Sequence, residues 1–154
     1  MSTVLLVNGP SLNLLGIHDP KIYGSTGFKE IEERVFSILS LRKIGYKSFQ
    51  SNSEEEIIDW LKKQHDAEFL LLNPGTLTSK NLGLCGAVLQ MELPFLEIHL
   101  SNYKKNEEFV SSSNFSDLAK GAIAGLGIKG YSLASQFAAD FLEQKKRSET
   151  KTGF

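Results

Sequence analysis

Residues Phe69 to Gly75 read FLLLNPG, an unbroken apolar run closed by a polar residue, a proline and a glycine. A strand with one wet face alternates apolar and polar residues, so a continuous run of strand length belongs to a strand covered on both faces. Asn-Pro-Gly stops it at once, because proline has no N–H for the sheet ladder and Pro-Gly marks a turn. Strands covered on both faces sit in parallel sheets, and parallel neighbours need a helical crossover between them. The run therefore demands a helix before it and another after it.

The chain supplies both, and repeats the arrangement. TVLLVNGP at the start is a short aliphatic run stopped by Asn-Gly-Pro, and reads as a buried strand. Apolar residues then fall at helical spacing at Phe28, Ile31, Val35 and Ile38, with Gly45 after the pattern ends. YKSFQSN is a weak second strand, and SEEEIIDWLKKQ opens a helix with a capping box of Ser53 and Glu56. Three glutamates in its first turn suit the positive end of the helix dipole. After the FLLLN strand, Asn81 to Met91 is helical in spite of Gly83 and Gly86, PFLEIHLSN is a fourth strand, and KGAIAGLG is a fifth. A last helix carries Tyr131, Ala134, Ala138, Phe141 and Leu142 on one stripe and frays into the charged segment EQKKRSETKTGF. Residues 1–145 thus form one domain and 146–154 a charged tail. Five alternations of strand and helix give a three-layer α/β sandwich around a five-stranded parallel sheet, close to the flavodoxin-like order.

Composition removes several classes of function. Seventeen Lys+Arg against 18 Asp+Glu leave a net charge of −1, without the electrostatic footprint of a nucleic-acid or acidic-membrane binder. A single cysteine, Cys85, excludes an internal disulfide and a cysteine-rich zinc site, and no base flanks it to make a reactive thiol. No apolar run reaches membrane-spanning length, and MSTVLLVNGP is too short and uncharged for a signal peptide, so the expected location is cytoplasmic.

In open α/β sheets ligands bind outside the carboxyl ends of the strands. Three strands here end in polar groups: Asn8-Gly9-Pro10, Asn73-Pro74-Gly75 and His99-Leu100-Ser101-Asn102. The loop LGIHDPKIYG after the first strand adds His18 and Tyr23, although a polar surface turn accounts for it equally well. Each residue alone has a plain structural reading: Tyr23 packed over a loop, Asn73 as a turn residue before proline, His99 as a hydrogen-bonded strand-end histidine. Together at one sheet edge they point to a shared site. His65, in KKQHDAE on a polar helix end, is solvated.

The stretches VNGPSLNLLG, PKIYGST, QSN, DW, LNPG, HLSN and GLGIKGYSLA, in this order, resemble the type II 3-dehydroquinate dehydratases along nearly the whole chain. That resemblance implies a cofactor-free and metal-free lyase of the shikimate or quinate pathway, which removes water from 3-dehydroquinate to give 3-dehydroshikimate. It implies a dodecamer built from four trimers. By motif, Tyr23 takes the C2 proton, Asn73 with a held water stabilises the enolate oxygen, and His99 protonates the departing C1 hydroxyl. Leu100 and Ser101 hold the substrate carboxylate, Asn13 and Ser79 stand at further substrate-binding positions, and Glu54 orients the histidine.

The same comparison of motifs exposes departures. His18 stands where the family pattern has an arginine beside the base, Ser11 replaces an asparagine, Ser79 a histidine and Leu77 a tyrosine. Cys85-Gly86 replaces an Arg-Asp pair whose aspartate reaches a neighbouring subunit, and Asn106 and Val110 replace arginines. An ordinary tyrosine with a pKa near ~10 is roughly 0.1% phenolate at pH 7. A permanent guanidinium lowers that pKa, whereas transferring the proton to a histidine costs roughly 4.8 kcal/mol before attraction offsets it. Two functions remain at this point: a dehydratase of reduced or altered efficiency, and a repurposed paralogue that keeps the shell and binds another small molecule. A phosphoacceptor or flavin-binding relative fits less well, since Asn73 replaces the aspartate expected after strand three.

Overall fold

A computed structural model describes residues 1–12, 27–78, 82–102, 115 and 117–152. Its elements follow the expected alternation: β1 (Thr3–Asn8), α1 (Phe28–Leu41), β2 (Gly45–Gln50), α2 (Glu54–Lys62), β3 (Phe69–Asn73), α3 (Leu82–Gln90), β4 (Phe95–His99), β5 (Gly121–Ala124) and α4 (Lys129–Thr152). The strands are all parallel and lie in the order β2-β1-β3-β4-β5. This is the flavodoxin-like order, and its topological switch point falls between β1 and β3. No helix among the described residues is long and apolar enough to cross a membrane.

Alternation along each strand divides the core into two layers. Val4, Leu6, Phe69, Leu71, Leu96 and Ile98 face α1 and α4, where Ile31, Val35, Leu39, Tyr131, Ala134 and Ala138 meet them. Leu5, Val7, Leu70, Leu72 and Phe95 face α2 and α3, meeting Ile57, Leu61, Leu84 and Val88. β3 is buried at every position, as its unbroken apolar run requires. Arg42, just past α1, bonds Glu143 at 2.9 Å and Asp140 at 2.6 Å, which fastens α1 to α4. The Glu143 carboxyl is held below its ordinary range by that guanidinium.

Some expectations need correction. The buried stripe of α1 runs through Ile31, Val35 and Leu39, so Ile38 sits at its margin. The capping box of α2 forms one arm directly, Glu56 N–H to Ser53 Oγ at 3.3 Å. The other arm is relayed: Ser53 N–H donates to Ser51 Oγ at 2.9 Å, and Ser51 Oγ donates to Glu56 at 2.5 Å. The charged tail does not fray where expected, since α4 continues to Thr152. Glu, Gln, Lys and Arg are good helix formers, and an exposed continuation of a packed helix costs little.

Ser11, in the loop after β1, holds φ at +70°, a region that ordinary side chains enter at a cost and asparagine tolerates. Ser11 is exposed, so a larger side chain fits. Ser11→Asn is expected to raise stability to urea by roughly 0.5–1 kcal/mol, a fraction of the left-handed penalty. A loss of stability would show that the loop conformation is assigned wrongly.

Candidate active site at the carboxyl edge of the sheet

The loops leaving β1 and β3 run backbone against backbone at the switch point. Gly9 N–H donates to the Asn73 carbonyl at 2.8 Å. A Cβ on Gly9 would stand 2.4 Å from the Pro74 carbonyl oxygen, and one on Gly75 (φ +59°) would stand 2.9 Å from that of Pro10. Glycine is therefore compulsory in both turns. The β1 loop is tied equally to its other neighbour: Gln50 Nε2 donates to the Gly9 carbonyl at 3.1 Å, and Ser11 N–H to Asn52 Oδ1 at 2.9 Å.

Register sets Asn8 beside Asn73 on adjacent strands. Both side chains meet Tyr131 of α4 in the buried layer between sheet and helix. The Tyr131 hydroxyl donates to Asn8 Oδ1 at 2.5 Å and accepts from Asn73 Nδ2 at 2.8 Å. Asn73 Oδ1 accepts the Gly75 N–H at 3.0 Å, closing a turn of the type asparagine makes with its own chain. Burial pushes the Tyr131 phenol well above its ordinary value, and the Asn73 hydrogen bond offsets this only in part. Its hydroxyl thus keeps a proton to donate.

β4 brings the acid–base group. Glu97 and His99 are two apart on one strand, so their side chains share a face, the one that Phe95 presents to α2 and α3. His99 Nε2 lies 2.7 Å from Glu97 Oε1, with Glu97 fully buried and His99 8% exposed. A carboxylate only accepts, so Nε2 carries the proton of this bond. A charge in the middle of a buried strand needs such a partner, because an uncompensated one costs several kcal/mol. Beyond the strand, Leu100 is buried and its carbonyl accepts the Gly127 N–H at 3.0 Å, while Ser101 is half-exposed.

Asn73, His99, Leu100 and Ser101 therefore stand at one sheet edge. Continuing the β3–β4 register by one residue puts Asn73 opposite Ile98 and on the order of 6 Å, between Cα atoms, from His99. Their side chains approach that edge from opposite faces of the sheet. The carboxylate bonded to His99 Nε2 is Glu97, from the same strand. Glu54 stands at the start of α2 and accepts the Leu84 N–H at 2.9 Å, at the opening of α3. Tyr23, His18, Asn13 and Ser79 lie outside the described residues, as do Asn106 and Val110. Glu97 had a visible signal in the sequence, a lone charge in PFLEIHL; Tyr131 had only its place on an apolar stripe.

Comparison with known proteins places the chain in a family. Residues 2–139 match the family profile described as dehydroquinase class II. The chain is 43% identical over 143 residues to a 3-dehydroquinate dehydratase of Haemophilus influenzae, covering 92% of this chain and 96% of that one. It is 44% identical over 146 residues to the same-named protein of Mannheimia succiniciproducens, covering 94% and 97%. The crystal structure of type II dehydroquinase from Propionibacterium acnes superposes with a TM-score of 0.83 at 32% identity, over 91% of this chain and 97% of that one. On the family match and these relatives, the chain belongs to the class II dehydroquinases.

Proposed function

We propose that this chain is a hydro-lyase that eliminates water from 3-dehydroquinate to give 3-dehydroshikimate. The observation that carries the reading is the buried Glu97–His99 pair, 2.7 Å apart at the carboxyl end of β4, where this fold binds ligands. The C2 hydrogen of the substrate lies next to a ketone, so a positioned base can remove it and leave an enolate. The hydroxyl on C1 then departs as water once an acid protonates it, and the C1–C2 double bond is conjugated with the ketone.

The proposed roles follow from that sequence of steps. Tyr23, as phenolate, takes the C2 proton, and the cationic form of His18 stabilises the phenolate. Asn73 donates toward the enolate oxygen; its amide has one Nδ2 hydrogen beyond the bond to Tyr131. His99 is the acid: Glu97 holds the Nε2 side and fixes the ring, and Nδ1–H delivers the proton to the C1 oxygen. The Leu100 N–H and the Ser101 hydroxyl bind the carboxylate, with Asn13 and Ser79 as further substrate contacts. Glu54 serves the site indirectly, through the start of α3. The active particle is proposed to be a dodecamer of four trimers, which the family resemblance supports. A Cβ at Gly86 on α3 would meet nothing within 4 Å among the described residues.

Absorbance of the conjugated enone tests the reaction directly. Wild type is expected to form it, and Tyr23→Phe to reduce formation to background. Glu97→Gln, which keeps an acceptor but loses the charge, is expected to lower kcat roughly 10–100-fold with little change in KM. His18→Arg is expected to raise kcat, and Val110→Arg to lower KM. No product from wild type, and none from the arginine variants, would overturn the assignment. Light scattering is expected to give about twelve times the 17.1 kDa chain mass. A particle of one chain would contradict the assembly.

A further inference from the structure

We infer that Tyr131 and Asn8 are positioning residues that fix which way the Asn73 amide points, an inference that rests on the dehydratase reading for its effect on turnover. Hydrogen-bond polarity carries it. A phenolic hydroxyl has one hydrogen, and that of Tyr131 is given to Asn8 Oδ1 at 2.5 Å. Toward Asn73 the hydroxyl can only accept, so the group facing it at 2.8 Å is Nδ2. The other end of the amide faces the Gly75 N–H at 3.0 Å, which only donates, so that end is Oδ1. Rotating the amide by half a turn would set oxygen against the hydroxyl lone pairs and Nδ2 against an N–H. Both contacts would then be lost in a place where Asn8 and Tyr131 are fully buried and Asn73 is 3% exposed.

Asn8 fixes the polarity on the tyrosine side of the amide, as the Gly75 N–H fixes it on the other. Without the Asn8 carbonyl, the Tyr131 proton is free to turn toward Asn73, and the Gly75 N–H alone is left to hold the amide's orientation. Asn8 is also held at some cost, because its Nδ2 finds no acceptor among the described residues. A leucine, with the same branching, would carry no unsatisfied hydrogen there. The arrangement thus keeps Asn73 a donor on the side of its remaining hydrogen, the polarity that an enolate oxygen needs.

Tyr131→Phe keeps the ring and removes the hydroxyl; Asn8→Ala keeps the hydroxyl and removes its acceptor. Each is expected to lower kcat for 3-dehydroquinate about tenfold while KM stays within about twofold, as a misdirected donor rather than a lost binding contact should. In an Asn73→Ala background, Tyr131→Phe is expected to lower thermal stability again but leave kcat where Asn73→Ala put it. A further drop in kcat in that background, or wild-type kcat in folded Tyr131→Phe, would overturn the inference. Should Asn8→Ala fail to fold, Tyr131→Phe and the double variant decide alone. A readout without substrate separates this inference from the function. The Asn73 side-chain amide, followed by ¹⁵N–¹H NMR, is expected to exchange with solvent at least tenfold faster in Tyr131→Phe than in wild type. Faster exchange with no turnover in wild type would leave the positioning standing and refute the dehydratase reading. Unchanged exchange with normal wild-type turnover would do the reverse.

Discussion

The close approach of two turns at the switch point is the constraint on which the site depends. Gly9 N–H bonds the Asn73 carbonyl, and the Gly9–Pro74 and Gly75–Pro10 contacts leave no room for a β-carbon on either glycine. That contact continues the β1–β3 register past the last strand residues, so Asn8 and Asn73 arrive side by side. Tyr131 can join them only because they do. An additional methyl group in either turn would separate the loops and, with them, the buried hydrogen bonds beneath.

Both faces of the sheet carry buried polar groups just below the carboxyl edge. On the α1/α4 side these are Asn8, Asn73 and the Tyr131 hydroxyl; on the α2/α3 side they are Glu97 and His99. Buried polar groups are costly unless satisfied, and satisfied ones are rigid. Two such clusters, one per face, hold the strand ends from both sides of the edge where a ligand would lie. The remainder of the described core is mostly aliphatic and aromatic. The chemistry of the edge is thus built from groups that also specify how the edge packs.

Most of the architecture was legible in the sequence because it follows from periodicity. The unbroken FLLLN run, the Asn-Gly-Pro and Asn-Pro-Gly stops and the Ser53 cap predicted elements that are present. Periodicity does not distinguish neighbours on the same stripe, which is why Leu39 rather than Ile38 is buried in α1. Nor does it report hydrogen bonds. Tyr131 read as one apolar member of a stripe, although its hydroxyl joins two strand ends more than 50 residues away in the chain. Glu97 was within reach of a local reading: it is two residues from His99 on one strand, and alternation alone puts both on one face. The charge of the tail suggests fraying, whereas its residues are helix formers that follow a packed helix.

The proposed reaction requires that this sheet edge form an enolate and that His99, held by Glu97, complete the elimination. Hydrogen exchange at C2 of 3-dehydroquinate in D₂O, followed by NMR with the His99→Ala protein, tests it most directly. With the acid gone but the base and the enolate donor in place, deuterium is expected to enter C2 of recovered substrate while the enone fails to accumulate. Enone formation at the wild-type rate, or substrate recovered without deuterium from a folded protein, would contradict it.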